Sequence, residues 1–474
     1  MTDTTDINKQ DLYIKKIGKN LDFFTYFNCF SIKKWKEYTT IETVALKLAV
    51  HGKWKIIWLT ADDSGIHNYS EEIIDRNSYE HMFAIDSLPG VLLGFQLQPL
   101  DKEAMFLSGA WYGSFAQWEE KKIGISITTF KREMYVKKNM ALLQKFQEVN
   151  PWLSVLVVDN GHTLPVQDKE RFKLIHNLNF GGSGGFTRGL IEYVNAETVD
   201  YVLLMDDDVQ IEVSALERTY ALICALKEKF VDSFLSGAML QIEKPGVQFE
   251  NTAYWHKVRL YAWGRGFDLS QLEVLVKNEQ INNWENTYGA WWYCCMPIKR
   301  IKEIGYPLPV FIKGDDMEYG IRNHRPWIHM NGIGVWHQSF ANKQNHIVEY
   351  FNDRNMMILE HFAEGCNRFT FFVLIMSRFA RHIVKRHAES IRMYEKVLQD
   401  YALGFEHITS IGADEKLKEV RSYDNKKWLP FSILCSLGKG VMEVMLYSKR
   451  HKQYRDFQKN QLKTQKFWRK YLKI

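Results

Sequence analysis

The sequence predicts an α/β protein built on a parallel sheet, and three observations predict it. From about residue 122, short apolar runs alternate with helix-like segments. Each apolar run stops on polar or glycine residues. One of them, Val202-Leu203-Leu204-Met205, stops on Asp206-Asp207-Asp208. Strands alternating with helices give a parallel sheet whose site lies at the strand C-termini. The expected organisation is an N-terminal β-sandwich (1–118), the α/β unit (119–350) and a C-terminal helical, basic region (351–474).

In the first part, Lys55–Thr60, Val91–Leu97 and Ala104–Ala110 are separated by turn formers such as Asp62-Asp63-Ser64-Gly65 and Leu88-Pro89-Gly90, the pattern of a small sandwich. The α/β part opens with strand Ile123–Thr128, helix Val136–Val149 and strand Leu153–Val158, which ends on Asp159-Asn160-Gly161. A short strand Lys173–His176, a flexible loop Gly181–Gly185 and a helix Thr187–Val194 lead to strand Tyr201–Met205, which delivers the acidic triplet. Tyr288–Tyr293 reads as a buried strand whose alternation sends Trp291 and Trp292 to opposite faces. Asp315 opens a helix running through Arg322, and Ile333-Gly334-Val335-Trp336 sets His337 near a strand end. After about residue 350 the pattern is helical and basic.

At 474 residues the chain exceeds one core. A hydrophobic share of 46% with 25% charge describes an ordinary folded protein, whereas 14% aromatic content with 15 Trp is high. Most rings must be core, but aromatics in clefts also hold sugar rings and bases. Cysteines at 29, 224, 294, 295, 366 and 435 show no CxxC spacing, which suits a reducing compartment and speaks against structural zinc. The polar residues 1–20 carry no signal-peptide pattern, and Phe369–Met376 is too short for a membrane span. No recognised nucleic-acid motif accompanies the net charge of +6. That charge concentrates in Lys449–Ile474, where Tyr454, Phe457, Phe467, Trp468 and Tyr471 interleave with basic residues. The segment fits an anionic membrane surface, and equally a solvated terminal helix or a contact in a homo-oligomer.

Three adjacent carboxylates repel one another and need a cation between them. In an extended backbone Asp206 and Asp208 point the same way and could chelate one divalent ion on a diphosphate, with Asp207 turned elsewhere. Magnesium or manganese suits such oxygen donors, and manganese accepts a histidine such as His337. The glycine stretch is neither GxGxxG, since Thr187 replaces the third glycine, nor a P-loop. It is a backbone approaching a helix N-terminus with Arg188 in the first turn, a place to meet a diphosphate. In Asp315-Asp316-Met317-Glu318, neighbouring acids can raise a general base toward neutrality, although acidic helix starts are also ordinary partners of the helix dipole.

The set resembles the inverting glycosyltransferases of family 2, with a GT-A fold, and more narrowly the galactofuranosyltransferases related to the mycobacterial galactan polymerase. The resemblance rests on ordered motifs along most of the chain. Thr25-Tyr26-Phe27-Asn28-x-Phe30 and Gly109-Ala110-Trp111-Tyr112 resemble the family's N-terminal β-domain. Thr128-Thr129-Phe130-x-Arg132 is similar to the first GT-A strand, and Asn179-x-Gly181-Gly182-x-Gly184-Gly185-Phe186-x-Arg188 to the nucleotide loop. Asp206-Asp207-Asp208, Trp291-Trp292, Asp315-Asp316-x-Glu318 and Trp336-His337 resemble the metal triplet, the paired-Trp acceptor motif, the catalytic carboxylates and the last metal ligand. Tyr293 and Phe340 depart from the family, which has Phe and Trp there, and both lie on the acceptor side.

The resemblance implies roles. Asp206, Asp208 and His337 would hold Mn²⁺ or Mg²⁺; Asp316 would be the base, oriented by Asp315 and Glu318. Arg132, Asp159, Asn179, Arg188 and Asp207 would lie on the nucleotide side, and Trp291 and Trp292 would line the acceptor site. The expected activity is transfer of galactofuranose from UDP-galactofuranose to a glycan or lipid-linked acceptor of the cell envelope, at the cytoplasmic face of the membrane. A rhamnosyl- or other hexosyltransferase, and a non-catalytic glycan-binding protein, are the alternatives.

Overall fold

The computed structural model describes residues 11–282, 284–339, 346–384, 388–410, 412–423 and 429–474; Phe340 lies outside the described residues. At the N-terminus two antiparallel sheets face each other. Trp54–Asp62 runs between Gly65–Ile74 and Leu92–Pro99 in one, and Ile41–His51 between Ser78–Ala84 and Met105–Phe115 in the other. Alternation buries Trp54, Ile56 and Trp58 on one strand and Val44, Leu46, Leu48 and Val50 on the other. The sheets close on Trp58, whose ring meets Phe83 at 4.7 Å and Trp111 at 6.1 Å.

The α/β unit holds an eight-stranded mixed sheet. Four neighbours in it, Phe172–His176, Leu153–Asp159, Ile123–Thr129 and Tyr201–Asp206, are parallel. Their registers pair Thr129 with Asp159 and Thr128 with Asp206, so these residues line up along one edge. The next strand, Cys294–Pro297, is antiparallel and pairs Cys294 with Leu204. An antiparallel strand begins where its neighbour ends, so Trp291–Tyr293 lie beside the end that carries Asp206. A second sheet pairs Gln210 with Trp336, and that antiparallel register sets His337 against the turn holding Asp208.

Two local expectations are corrected. Gly181–Gly185 is not a loop: the helix runs Gly181–Ala196. The glycines serve a close approach, because a Cβ on Gly185 would fall 2.1 Å from Thr128 Cγ2 and one on Gly189 1.9 Å from Ser126 Oγ. Tyr288–Tyr293 is not a strand either. Strand geometry covers Thr287–Tyr288 and resumes at Cys294, so the tryptophans sit in a turn and strand alternation does not govern them.

The sandwich and the α/β unit share a tight seam. Trp336, fully buried, meets the rings of Phe27 at 5.4 Å and Tyr13 at 6.5 Å. The Tyr26 hydroxyl donates to the Ile333 carbonyl at 3.3 Å. Buried Lys34 donates to the Asn278 carbonyl at 2.8 Å, and burial lowers its ammonium to about 8.

Helices from His346 onward pack beside the site edge of the α/β unit, where Asn352, Met356 and Arg378 reach the cavity. The aromatics of the basic C-terminal segment are not laid out for a bilayer. Tyr454 and Trp468 are fully buried, the Trp468 indole donates to the Pro307 carbonyl at 3.0 Å, and Tyr471 meets Phe180 at 4.3 Å. The segment forms two helices: Tyr447–Gln461 packs Tyr454 and Phe457 against Tyr401 and Phe405 of a preceding helix, and Lys466–Leu472 covers the α/β unit. Apolar exposure lies instead on Leu429–Met445, which buries Ser432, Ser436, Gly440 and Glu443 and exposes Phe431, Leu434, Val441, Met442 and Met445. No single helix among the described residues is long and apolar enough to cross a membrane.

Candidate active site

One cavity of about 1480 Å³ runs along the C-terminal strand edge, and its walls include Arg132, Gly182, Asp206, Asp208, Glu250, Trp291, Trp292, Asp315, Asp316 and His337. Asp206, Asp208 and His337 each bring one ligand atom to within 4.8 Å of the others. His337 Nδ1 lies 2.6 Å from the Gln338 carbonyl, which accepts its proton, and Nε2 faces Asp208 Oδ1 at 3.0 Å. A backbone acceptor behind Nδ1 fixes the ring so that Nε2 turns to the ligand side, the usual arrangement of a metal histidine.

The charges of this set are unbalanced. Burial pushes Asp206 up to about 7, with His337 opposing and Asp208 and Asp207 adding to the rise. Burial acts against protonation of His337, but its hydrogen bond and the charges of Asp208 and Asp206 outweigh it and raise the ring above its usual value. Two carboxylates with an imidazole converging on one point fit Mn²⁺ or Mg²⁺ chemically. Asp207 turns to Arg132, whose Nη1 is 3.3 Å from its Oδ1; the same guanidinium also pairs with Asp208.

Asp315 and Asp316 open the helix Asp315–Arg322. Burial and the neighbouring Asp316 raise Asp315 well above its usual value. Asp316 is pushed to about 6 by burial, tempered by the Met317 N–H, which donates to its Oδ1 at 2.8 Å, and by Lys313. The pair is thus held above the ordinary carboxylate range, with Asp316 poised near neutrality, the condition for a general base.

Glu318 does not join them. It is fully buried, ion-paired to Arg322 at 2.5 Å, and accepts from Gln458 Nε2 at 2.6 Å; it does not line the cavity. Among the nucleotide-side residues, Arg132 and Asp207 lie at the carboxylate cluster, and Asp159, Asn179 and Arg188 lie off the cavity wall. Asp159 accepts the backbone N–H groups of Gly161, Thr163 and Leu164 at 2.8, 2.7 and 2.8 Å and so shapes the loop. Asn179 accepts the Gly181 N–H at 3.2 Å at the helix start, and Arg188 pairs with Glu192 at 2.7 Å. Gly182 brings the helix N-terminus to the wall, where backbone N–H groups favour an anion.

Both tryptophans line the cavity. The Trp292 indole donates to the Gly237 carbonyl at 2.9 Å, while the buried Trp291 Nε1 has no hydrogen-bond partner among the described residues. Sequence reasoning missed Glu250 and Arg265. Glu250 is buried on the wall and paired with Arg265 at 3.2 Å. Burial raises it to about 7, with Arg265 opposing and Asp316 adding. A single acid in Gln248-Phe249-Glu250-Asn251 carries no spacing signal.

The family Galactofuranosyltransferase 2 N-terminal matches residues 4–114. Galactofuranosyltransferase GlfT2 of Mycobacterium tuberculosis is 24% identical over 436 residues, covering 82% of this chain and 66% of that protein. GlfT2 of Mycolicibacterium smegmatis is 24% identical over 427 residues, covering 82% and 65%. The chain thus spans just under two thirds of the length of these relatives. Among solved structures, S. aureus TarS 1-349 covers 69% of this chain and 91% of its own at 14% identity and a TM-score of 0.38. The chain is a glycosyltransferase homologue, related to the galactofuranosyltransferases.

Proposed function

We propose that this protein transfers galactofuranose from UDP-galactofuranose to a hydroxyl of a glycan acceptor, in one displacement that inverts the anomeric carbon. The observation that carries the reading is the single cavity that joins the Asp206, Asp208 and His337 set to Asp316 and to the paired tryptophans. In this mechanism Asp316 takes the proton as the acceptor oxygen attacks, with Asp315 beside it in the first turn of the same helix. The N-terminus of the glycine-rich helix and Arg132 flank the donor phosphates. Trp291 and Trp292 wall the acceptor side. A divalent cation held by Asp206, Asp208 and His337 would supply electrostatic stabilisation of the departing UDP.

The donor assignment is supported by similarity to proteins named galactofuranosyltransferases. A panel of nucleotide sugars, scored by UDP or other nucleotide release with and without manganese, tests it. Release from UDP-galactofuranose alone is expected. Release from a rhamnosyl or other hexosyl donor instead corrects the sugar, and no release from any donor favours a glycan-binding role.

The same reading sets the enzyme peripherally on the anionic inner face of the cell membrane, with a lipid-linked acceptor and a role in envelope polysaccharide synthesis. The exposed apolar face of Leu429–Met445 supports it. Homo-oligomerisation through that face is the competing use.

A further inference from the structure

The catalytic helix is reached through an improbable backbone. Ile312, Lys313 and Gly314 have φ of 53°, 70° and 95°. Glycine adopts such angles readily, but an isoleucine, branched at Cβ, holds them only where its surroundings over-determine the conformation. Asn355, on the helix His346–Leu359, supplies that constraint. Its Nδ2 lies 3.2, 3.1 and 2.7 Å from the carbonyl oxygens of Phe311, Ile312 and Lys313. Its Oδ1 accepts from Arg354 Nε and Nη2 at 3.0 and 2.9 Å. The surroundings fix which way the amide points, since the reverse would set a carbonyl against three carbonyls and an NH₂ against a guanidinium.

Arg354 cannot turn away either. It is 1% exposed and lies over the rings of Tyr350 at 5.6 Å and Phe351 at 5.2 Å. The loop is held on its other side by Phe311, which meets Phe351 at 5.0 Å. That ring sits so close to Gly181 that a Cβ there would fall 2.5 Å from it.

We infer that Asn355, oriented by Arg354, is a positioning residue for the transfer reaction, clamping residues 312–314 so that Asp315 and Asp316 start their helix facing the cavity. The inference rests on the assignment of Asp316 as the base. It gives the C-terminal helices a part in the chemistry although none of their residues needs to touch the sugar.

Two variants test it. Asn355→Asp keeps the size and turns the donor into an acceptor facing three carbonyls; Asn355→Ala removes the clamp. In both, hydrogen–deuterium exchange of a peptide spanning 311–317 should speed up. kcat should fall about 10²-fold, as expected when a base is misplaced by about an ångström. The KM for the donor and the Kd for UDP should stay within about twofold, because Asn355 bonds neither to Arg132 nor to the Asp206, Asp208 and His337 set, and Phe311 stays seated on Phe351. Adding Ile312→Gly to Asn355→Ala should restore part of kcat, since glycine accepts the left-handed angle without help. If Asn355→Ala does not fold, Asn355→Asp carries the same readouts.

Unchanged exchange and unchanged kcat in Asn355→Asp would overturn the inference. So would a parallel loss of UDP affinity, KM and melting temperature that Ile312→Gly does not relieve, the mark of an ordinary packing residue. A wild-type protein that releases nucleotide from no donor would instead overturn the proposed function, and the exchange measurement would still decide the clamp.

Discussion

Trp468→Ala tests whether the basic C-terminal segment is a structural part or a surface anchor. Trp468 has 0% exposure, donates its indole N–H to the Pro307 carbonyl at 3.0 Å, and is flanked by Tyr471 at 5.6 Å and Phe467 at 5.8 Å. Truncating a fully buried tryptophan costs about 3–5 kcal/mol. The Pro307 carbonyl, left without its donor, adds about 1 kcal/mol. A loss of roughly 4–6 kcal/mol is a large share of the about 5–15 kcal/mol that holds an ordinary domain together. With about 2–4 °C per kcal/mol for a unit of this size, the melting temperature should fall by on the order of 10 °C. The damage should also spread, because the Ser183 hydroxyl donates to the neighbouring Leu308 carbonyl at 2.6 Å and ties this segment to the glycine-rich helix. Thermal denaturation and limited proteolysis of the full chain provide the measurement. A variant that melts like the wild type but no longer sediments with anionic vesicles would refute the packing and restore the segment as a membrane contact.

Other outcomes follow from the same geometry. Asp316→Asn should lower kcat by about 10²–10⁴-fold with UDP affinity retained by calorimetry; lost UDP binding would make Asp316 a donor ligand. Because the base must be deprotonated and Asp316 is raised to about 6, kcat should climb with pH through that value and level off above it, and a flat profile would sink the assignment. Asp208→Ala should abolish metal-stimulated transfer in a folded protein, whereas full wild-type activity in EDTA would remove the metal from the reading. Glu318→Gln should lower the melting temperature by loosening Arg322 while leaving UDP affinity in place; a selective loss of kcat at unchanged stability would return Glu318 to the chemistry. Leu434→Ser with Met445→Ser should reduce sedimentation with anionic vesicles and leave turnover on a soluble acceptor intact, and a changed oligomeric state instead would assign that face to a second copy.

Much of the fold is legible because local patterns and global packing agree there. The apolar run ending on Asp206 shows both a strand and the edge at which it stops. The misreadings have a common physical source, a partner far away in sequence. Glycine at 181–185 reads as a turn former, yet Gly185 and Gly189 answer to Thr128 and Ser126 on a neighbouring strand. Glu318 belongs by spacing to an acidic motif, but its environment is set by Arg322 and by Gln458 on a helix near the C-terminus. The aromatics of 449–474 look like an interfacial belt until Pro307, Phe180 and Phe405 are known to lie beneath them. Glu250 has no local signature, since its weakened acidity comes from burial and from the charge of Asp316, against the pull of Arg265.

The seam around Trp336 changes what the boundary near residue 118 means. Tyr13, Tyr26 and Phe27 grip the strand whose next residue, His337, faces Asp208. The sandwich is therefore not a detachable cargo module that evolution could exchange at will. A recombination event joining this α/β unit to a different leading domain would leave Trp336 without its ring stack and let His337 drift from the carboxylates. Tyr13, Tyr26, Phe27 and Trp336 should accordingly be inherited as a set, in step with one another, even where the remaining surface of the sandwich diverges.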